Sequence, residues 1–168
     1  MTRQREGRRW RATVTAIGAF LAVMAGAGER PALALINESP SLPRGLYLRA
    51  GMSIEPGAVV AVPQPWTVRP YLERMGMPGD VLLLKRVAAI GGDRVCAADG
   101  GVQTPGRRTR ALDRDRRGAV LPVWRGCRLM AADEVFLLGD TTGSFDSRYF
   151  GPVRRSDVVG VYREVLTW

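Results

Sequence analysis

Lys85 is the chain's only lysine; its other basic side chains are all arginine, and there is no histidine. It lies inside an apolar run, Val81 to Val87, VLLLKRV. A guanidinium stays protonated in proteins and cannot accept a proton, so a lone lysine marks a place where arginine would not serve. If the run is a strand, Val81, Leu83, Lys85 and Val87 share one face, and Leu82, Leu84 and Arg86 take the other. An amine among such neighbours is desolvated, and neutrality near pH 7 requires a shift of roughly 3 units, ~4 kcal/mol. A neutral lysine is a general base. The plain alternative is a strand-end lysine reaching back to solvent. Without histidine, Ser-His-Asp, Cys-His and His-ligated metal schemes are excluded, whereas a serine activated by lysine remains open.

Two other stretches could supply the partners. In Asn37 to Tyr47, NESPSLPRGLY, Ser39 and Ser41 flank Pro40 and are followed by Pro43 and Gly45. Proline fixes φ and glycine permits a tight turn, so this is a rigid loop displaying hydroxyls, or else an ordinary Ser/Pro turn. From Val135, VFLLGDTTGSFDSRYFGPV, an apolar strand ends at Gly139-Asp140 and a loop leads to Ser144, Asp146, Ser147 and Arg148.

The elements that must position these groups read as mainly β. Eleven prolines and twenty glycines punctuate short Val- and Leu-rich runs, a pattern of strands and turns within one domain. Residues Gly57 to Val62 read as a strand, and VVGVYREVLTW as a closing one. Between them, VPQPWTVRPYLERMGMPGD reads as a proline-interrupted loop. Upstream, residues 12–28 carry no charge. As a helix they span roughly 25 Å, just enough for one N-terminal transmembrane helix. Arg3, Arg5, Arg8, Arg9 and Arg11 precede it, so residues 1–11 stay cytoplasmic and residues 29–168 form the exported domain. A cleaved signal peptide is the competing reading and exports the same domain.

The order of anchor, serine loop, lysine strand and late GD...S.DSR segment resembles the signal peptidase I family of Ser/Lys proteases. SPSLPRGLY is more similar to its conjugative-transfer branch, the TraF-type pilin maturation peptidases. The resemblance covers most of the chain after the anchor. It implies a signal-peptidase-like β catalytic domain in which Ser41 is the nucleophile and Lys85 its base. Ser39 and the Ser41 N–H would form the oxyanion hole. Ser144 would orient the lysine amine, with Asp146 and Arg148 as a supporting ion pair. Two departures stand out: Gly91 where the family's KRVxAxPGD segment has proline, and Thr141-Thr142 where Asn-Arg is usual beside Asp140. No cofactor or metal is implied. The implied substrate is an exported protein precursor, pilin-like, cut after small residues at the periplasmic face of the inner membrane. A general signal peptidase and a non-catalytic envelope scaffold are the alternatives.

Cys96 and Cys127 are the only two cysteines. In an exported segment they read as a disulfide worth ~3 to 4 kcal/mol. Between them Arg107, Arg108, Arg110, Arg114, Arg116 and Arg117 mix with Asp113 and Asp115 in what reads as a solvated loop, or one touching anionic lipid headgroups. The net charge of +9 also fits a nucleic-acid-binding module, a reading that export of the domain excludes.

Overall fold

Short valine- and leucine-rich runs between Gly and Pro turns fold as eleven strands among the described residues. The structure is a computed structural model and describes residues 31–168. The cytoplasmic segment 1–11 and the transmembrane segment 12–28 expected from sequence lie outside them. Among the described residues no helix is long and apolar enough to cross a membrane.

The strands β1 (Ala34–Asn37), β2 (Gly45–Ala50), β3 (Val59–Val62), β4 (Leu83–Ile90), β9 (Glu134–Leu138), β10 (Val153–Arg154) and β11 (Gly160–Thr167) form one antiparallel sheet. Its order is β1-β2-β11-β3-β4-β9-β10. A second antiparallel sheet, β7-β6-β5-β8, is built from β5 (Arg94–Ala98), β6 (Gly101–Gln103), β7 (Arg108–Arg110) and β8 (Gly126–Leu129). Short helices α1 (Arg69–Arg74) and α2 (Ser147–Phe150) and a 3-10 turn (Arg155–Asp157) complete the set.

Strand β3 is buried on both faces, so its side chains sort by the two-residue period of a pleated strand. Val60 and Val62 pack with Leu83, Val87, Val135 and Leu137. Val59 and Ala61 pack with Leu42, Tyr47, Leu84 and Tyr162. The alternation expected around Lys85 is therefore present: Leu83 and Val87 lie in one cluster and Leu84 in the other. The strand itself runs later than the sequence suggests, starting at Leu83 and leaving Val81 half-exposed. A third cluster, including Ala89, Val95, Val102 and Phe136, joins the two sheets.

The turn from β4 to β5 explains the glycine at position 91. A Cβ there would lie 2.6 Å from Ala132 Cα and 2.8 Å from the Ala131 carbonyl oxygen, and backbone cannot yield as a side-chain tip can. Asp93 closes the turn, its Oδ2 accepting the Ile90 N–H at 2.9 Å.

Candidate active site

The loop joining β1 to β2 carries Ser39 and Ser41, and one side chain holds it. Asn37, at the end of β1, donates from Nδ2 to the carbonyls of Ser39, Leu42 and Pro43, each at 3.0 Å. Its Oδ1 accepts the Ser39 N–H at 3.3 Å and the Ser39 hydroxyl at 2.9 Å. From outside the loop, Tyr47 donates its hydroxyl to Pro43 O at 2.8 Å, and the Asp140 N–H donates to Ser41 O at 2.6 Å. The serine loop is thereby pinned to the end of β9.

Lys85 enters from β4 and is 4% exposed. Its Nζ donates to Ser41 Oγ at 3.1 Å and to Leu84 O at 3.0 Å. Burial lowers its pKa from 10.5 to about 8; the Asp146 charge works against that lowering and the Arg148 charge adds to it. Ser39 Oγ lies 2.7 Å from Ser41 Oγ. Among the described residues the Ser41 N–H has no hydrogen-bond acceptor. These groups open onto a cleft of about 520 Å³ whose wall includes Leu35, Ile36, Leu72, Met77, Leu82 and Phe145.

Asp146 and Arg148 are fully buried and bonded to each other. Asp146 Oδ1 accepts from Arg148 Nε at 2.8 Å, and Oδ2 accepts from Arg148 Nη2 and from the Gly139 N–H, both at 2.8 Å. The remaining guanidinium hydrogens go to the carbonyls of Arg110, Thr141, Thr142 and Ser144. Burial disfavours the charge on Arg148, but its bond and attraction to Asp146 prevail and hold its pKa above the usual value. The whole loop from 139 to 148 is wrapped around one ion pair. Thr141 and Thr142 serve it through backbone carbonyls, which any residue supplies, so their departure from the resembled motif leaves this loop intact. Asp140 has a different partner, a two-pronged pair with Arg86 at 3.1 and 3.0 Å, which ties the loop to β4.

Ser144 departs from expectation. It lines the same cleft, yet its Oγ is buried with no hydrogen-bond partner among the described residues. The bond to the Lys85 amine expected from sequence is not made; the Leu84 carbonyl takes that place. Gly139 accounts for the crowding: a Cβ there would overlap Ser144 Oγ and sit 2.8 Å from Ser41 O.

Two contributors escaped sequence reasoning. Asn37 was legible only as the polar residue opening a Ser/Pro turn. Arg107 donates from Nη2 to Gly139 O at 2.8 Å, and nothing in the arginine-rich stretch distinguishes it from its neighbours. Cys96 and Cys127 face each other across β5 and β8 and are joined by a disulfide. Among the described residues no cluster of three or more Cys, Asp or Glu is placed to hold a metal.

The arrangement can do nucleophilic acyl chemistry: a hydroxyl beside a desolvated amine, with an N–H and a second hydroxyl nearby for developing charge. Comparison with known proteins points the same way. Residues 7–168 match the model of a family described as signal peptidase, peptidase S26. The chain is 35% identical to a plasmid transfer protein TraF of Escherichia coli, over 91% of this chain and 94% of that one. It is 33% identical to a second Escherichia coli plasmid transfer protein TraF, over 90% and 93%. It is also 32% identical to a probable conjugal transfer protein TraF of Sinorhizobium fredii, over 93% and 86%.

Proposed function

The chain belongs to the signal peptidase family S26, and from that premise we propose that it is a membrane-anchored serine endopeptidase that matures an exported precursor, with Ser41 as nucleophile and Lys85 as general base. The observation that carries this reading is the 3.1 Å contact between Lys85 Nζ and Ser41 Oγ, made by an amine whose pKa burial lowers to about 8. A neutral amine near neutral pH can take a hydroxyl proton; an ordinary lysine cannot.

In the proposed reaction the Ser41 O–H turns its proton to the Lys85 lone pair as Oγ forms a bond to the scissile carbonyl carbon. The Ser41 N–H and the Ser39 hydroxyl stabilise the resulting oxyanion, each such donor being worth about 3 kcal/mol. Collapse breaks the C–N bond, and the Lys85 ammonium returns its proton to the leaving amine. Water then gives a proton to the same amine as it bonds to the acyl carbon; the bond from that carbon to Ser41 Oγ breaks, and the Lys85 ammonium returns the proton to Oγ.

Conjugative pilin precursor is the proposed substrate, a reading supported by the plasmid and conjugal transfer relatives. Residues 12–28 are proposed to anchor the enzyme in the inner membrane, with residues 29–168 in the periplasm, where the Cys96–Cys127 disulfide would persist.

The test is precursor processing in membranes carrying the wild type, Ser41→Ala or Lys85→Arg, with a pilin precursor and an ordinary secretory precursor in parallel. Complete loss is expected for both variants, because arginine keeps the charge but cannot accept the proton. Full activity of Lys85→Arg overturns the mechanism. Equal cutting of both precursors favours a general signal peptidase, and no cutting by the wild type favours an envelope scaffold.

A further inference from the structure

Asn37 is not one of the groups that serine-lysine chemistry itself requires, yet it is the most heavily bonded side chain of the serine loop and is 7% exposed. Three carbonyl oxygens lie 3.0 Å from Nδ2. A flipped amide would press its own oxygen against all three, so the orientation is fixed and Oδ1 must face Ser39. A carbonyl oxygen only accepts. The Ser39 hydroxyl therefore has a standing acceptor at 2.9 Å, which leaves its lone pairs towards Ser41 Oγ, 2.7 Å away.

With Lys85 as ammonium, its N–H donates to Ser41 Oγ. The Ser41 hydroxyl then donates to Ser39 Oγ, and the Ser39 hydroxyl to Asn37 Oδ1. Each donor points away from the amine, and the nucleophile's proton is turned from its base. When Lys85 loses its proton, the Ser41 link reverses towards the Nζ lone pair. Ser39 Oγ then receives nothing from Ser41, and its O–H is free to leave Asn37 for an oxyanion while Oδ1 still holds the Ser39 N–H.

Resting on the serine-lysine reading above, we propose that Asn37 is a positioning residue for the reaction: by accepting from the Ser39 N–H and hydroxyl, its carbonyl oxygen fixes the Ser39 rotamer that keeps Oγ beside Ser41 Oγ, so that the Ser39 O–H need only rotate about its Cβ–Oγ bond to donate to the oxyanion as the Ser41 proton turns to Lys85. The role is preorganisation of one oxyanion donor and acts through the Ser39 hydroxyl, so it is separable from simply bracing the loop.

A kinetic double-mutant cycle tests this, using whichever precursor the wild type cleaves. Asn37→Ala is expected to lower kcat roughly tenfold with KM unchanged. In a Ser39→Ala background the same substitution is expected to have almost no further effect. Where Asn37→Ala does not accumulate as folded protein, the milder Asn37→Ser carries the same cycle. An unchanged kcat, an effect confined to KM, or an equal loss in both backgrounds overturns the proposal and leaves Asn37 a structural brace. Activity surviving Ser41→Ala overturns the serine-lysine reading instead, so the two failures are distinguishable.

Discussion

An amine lowered to a pKa of about 8 is about one-tenth neutral at pH 7, and that fraction sets the rate a general base can deliver. Accordingly, kcat/KM is expected to rise roughly tenfold per pH unit up to about 8 and then level, a limb that rate measurements from pH 6 to 9 would reveal. A flat profile across that range would count against Lys85 as base. The same burial has a stability cost. Below pH 8 both the folded and unfolded chains hold the ammonium, and the full penalty applies. Between about 8 and 10.5 the folded chain has released a proton that the unfolded chain still holds, so stability rises with pH across that window. Lowering from 10.5 to about 8 corresponds to about 3 kcal/mol. Lys85→Met is therefore expected to abolish activity and raise the thermal midpoint at pH 7, measured by calorimetry. A fall in midpoint would show that the amine's two hydrogen bonds outweigh its desolvation.

At the scale of elements, the site is a meeting of three segments, and Gly139 is where they come closest. Its N–H is taken by Asp146, its carbonyl by Arg107, and the space a side chain would fill belongs to Ser144 and the Ser41 carbonyl. Gly139→Ala is expected to cost ~1 to 3 kcal/mol in unfolding free energy. It should also cut processing severely, because the displaced group is the nucleophile loop. A variant with wild-type rate would mean that the loops yield more readily than this packing implies. These contacts also show where sequence ran short. Lys85 was legible because a single lysine in an apolar strand is a compositional anomaly, and the serine and Asp146 loops were legible from motif order. Helix α1 was not: PQPWTVRPYLERMG reads as punctuation, yet Pro70 sits in the first helical turn, where a missing N–H costs nothing. The arginine-rich stretch was read as solvated loop, but Arg108–Arg110 forms an edge strand and Arg107 reaches Gly139. Charge sequence alone cannot say which of several arginines turns inward. Asn37 has the same difficulty, since its bonds run to backbone carbonyls that any sequence would supply.

On the scale of the molecule, two sheets share a core while only the larger one carries the Ser41–Lys85 pair. Cys96 and Cys127 stand directly opposite each other on β5 and β8, so their bond closes the segment that delivers Arg107 to Gly139. Replacing both cysteines with serine is expected to lower stability by ~3 to 4 kcal/mol in denaturant titration. A smaller drop in activity should follow, since Arg107 would remain tethered through β6 and β7. Loss of activity without loss of stability would instead assign the bond a direct part in the chemistry.

The larger sheet has one more property of consequence. Strand β11, the last in sequence, is not at an edge but lies between β2 and β3, and so joins the half that carries the serine loop to the half that carries the lysine. Until residues 160–167 have emerged and slotted in, no continuous sheet connects the two. The register of the serine loop against the lysine strand is therefore expected to depend on residues 160–167, and a chain truncated before Gly160 is expected to lose precursor processing even where it can be isolated.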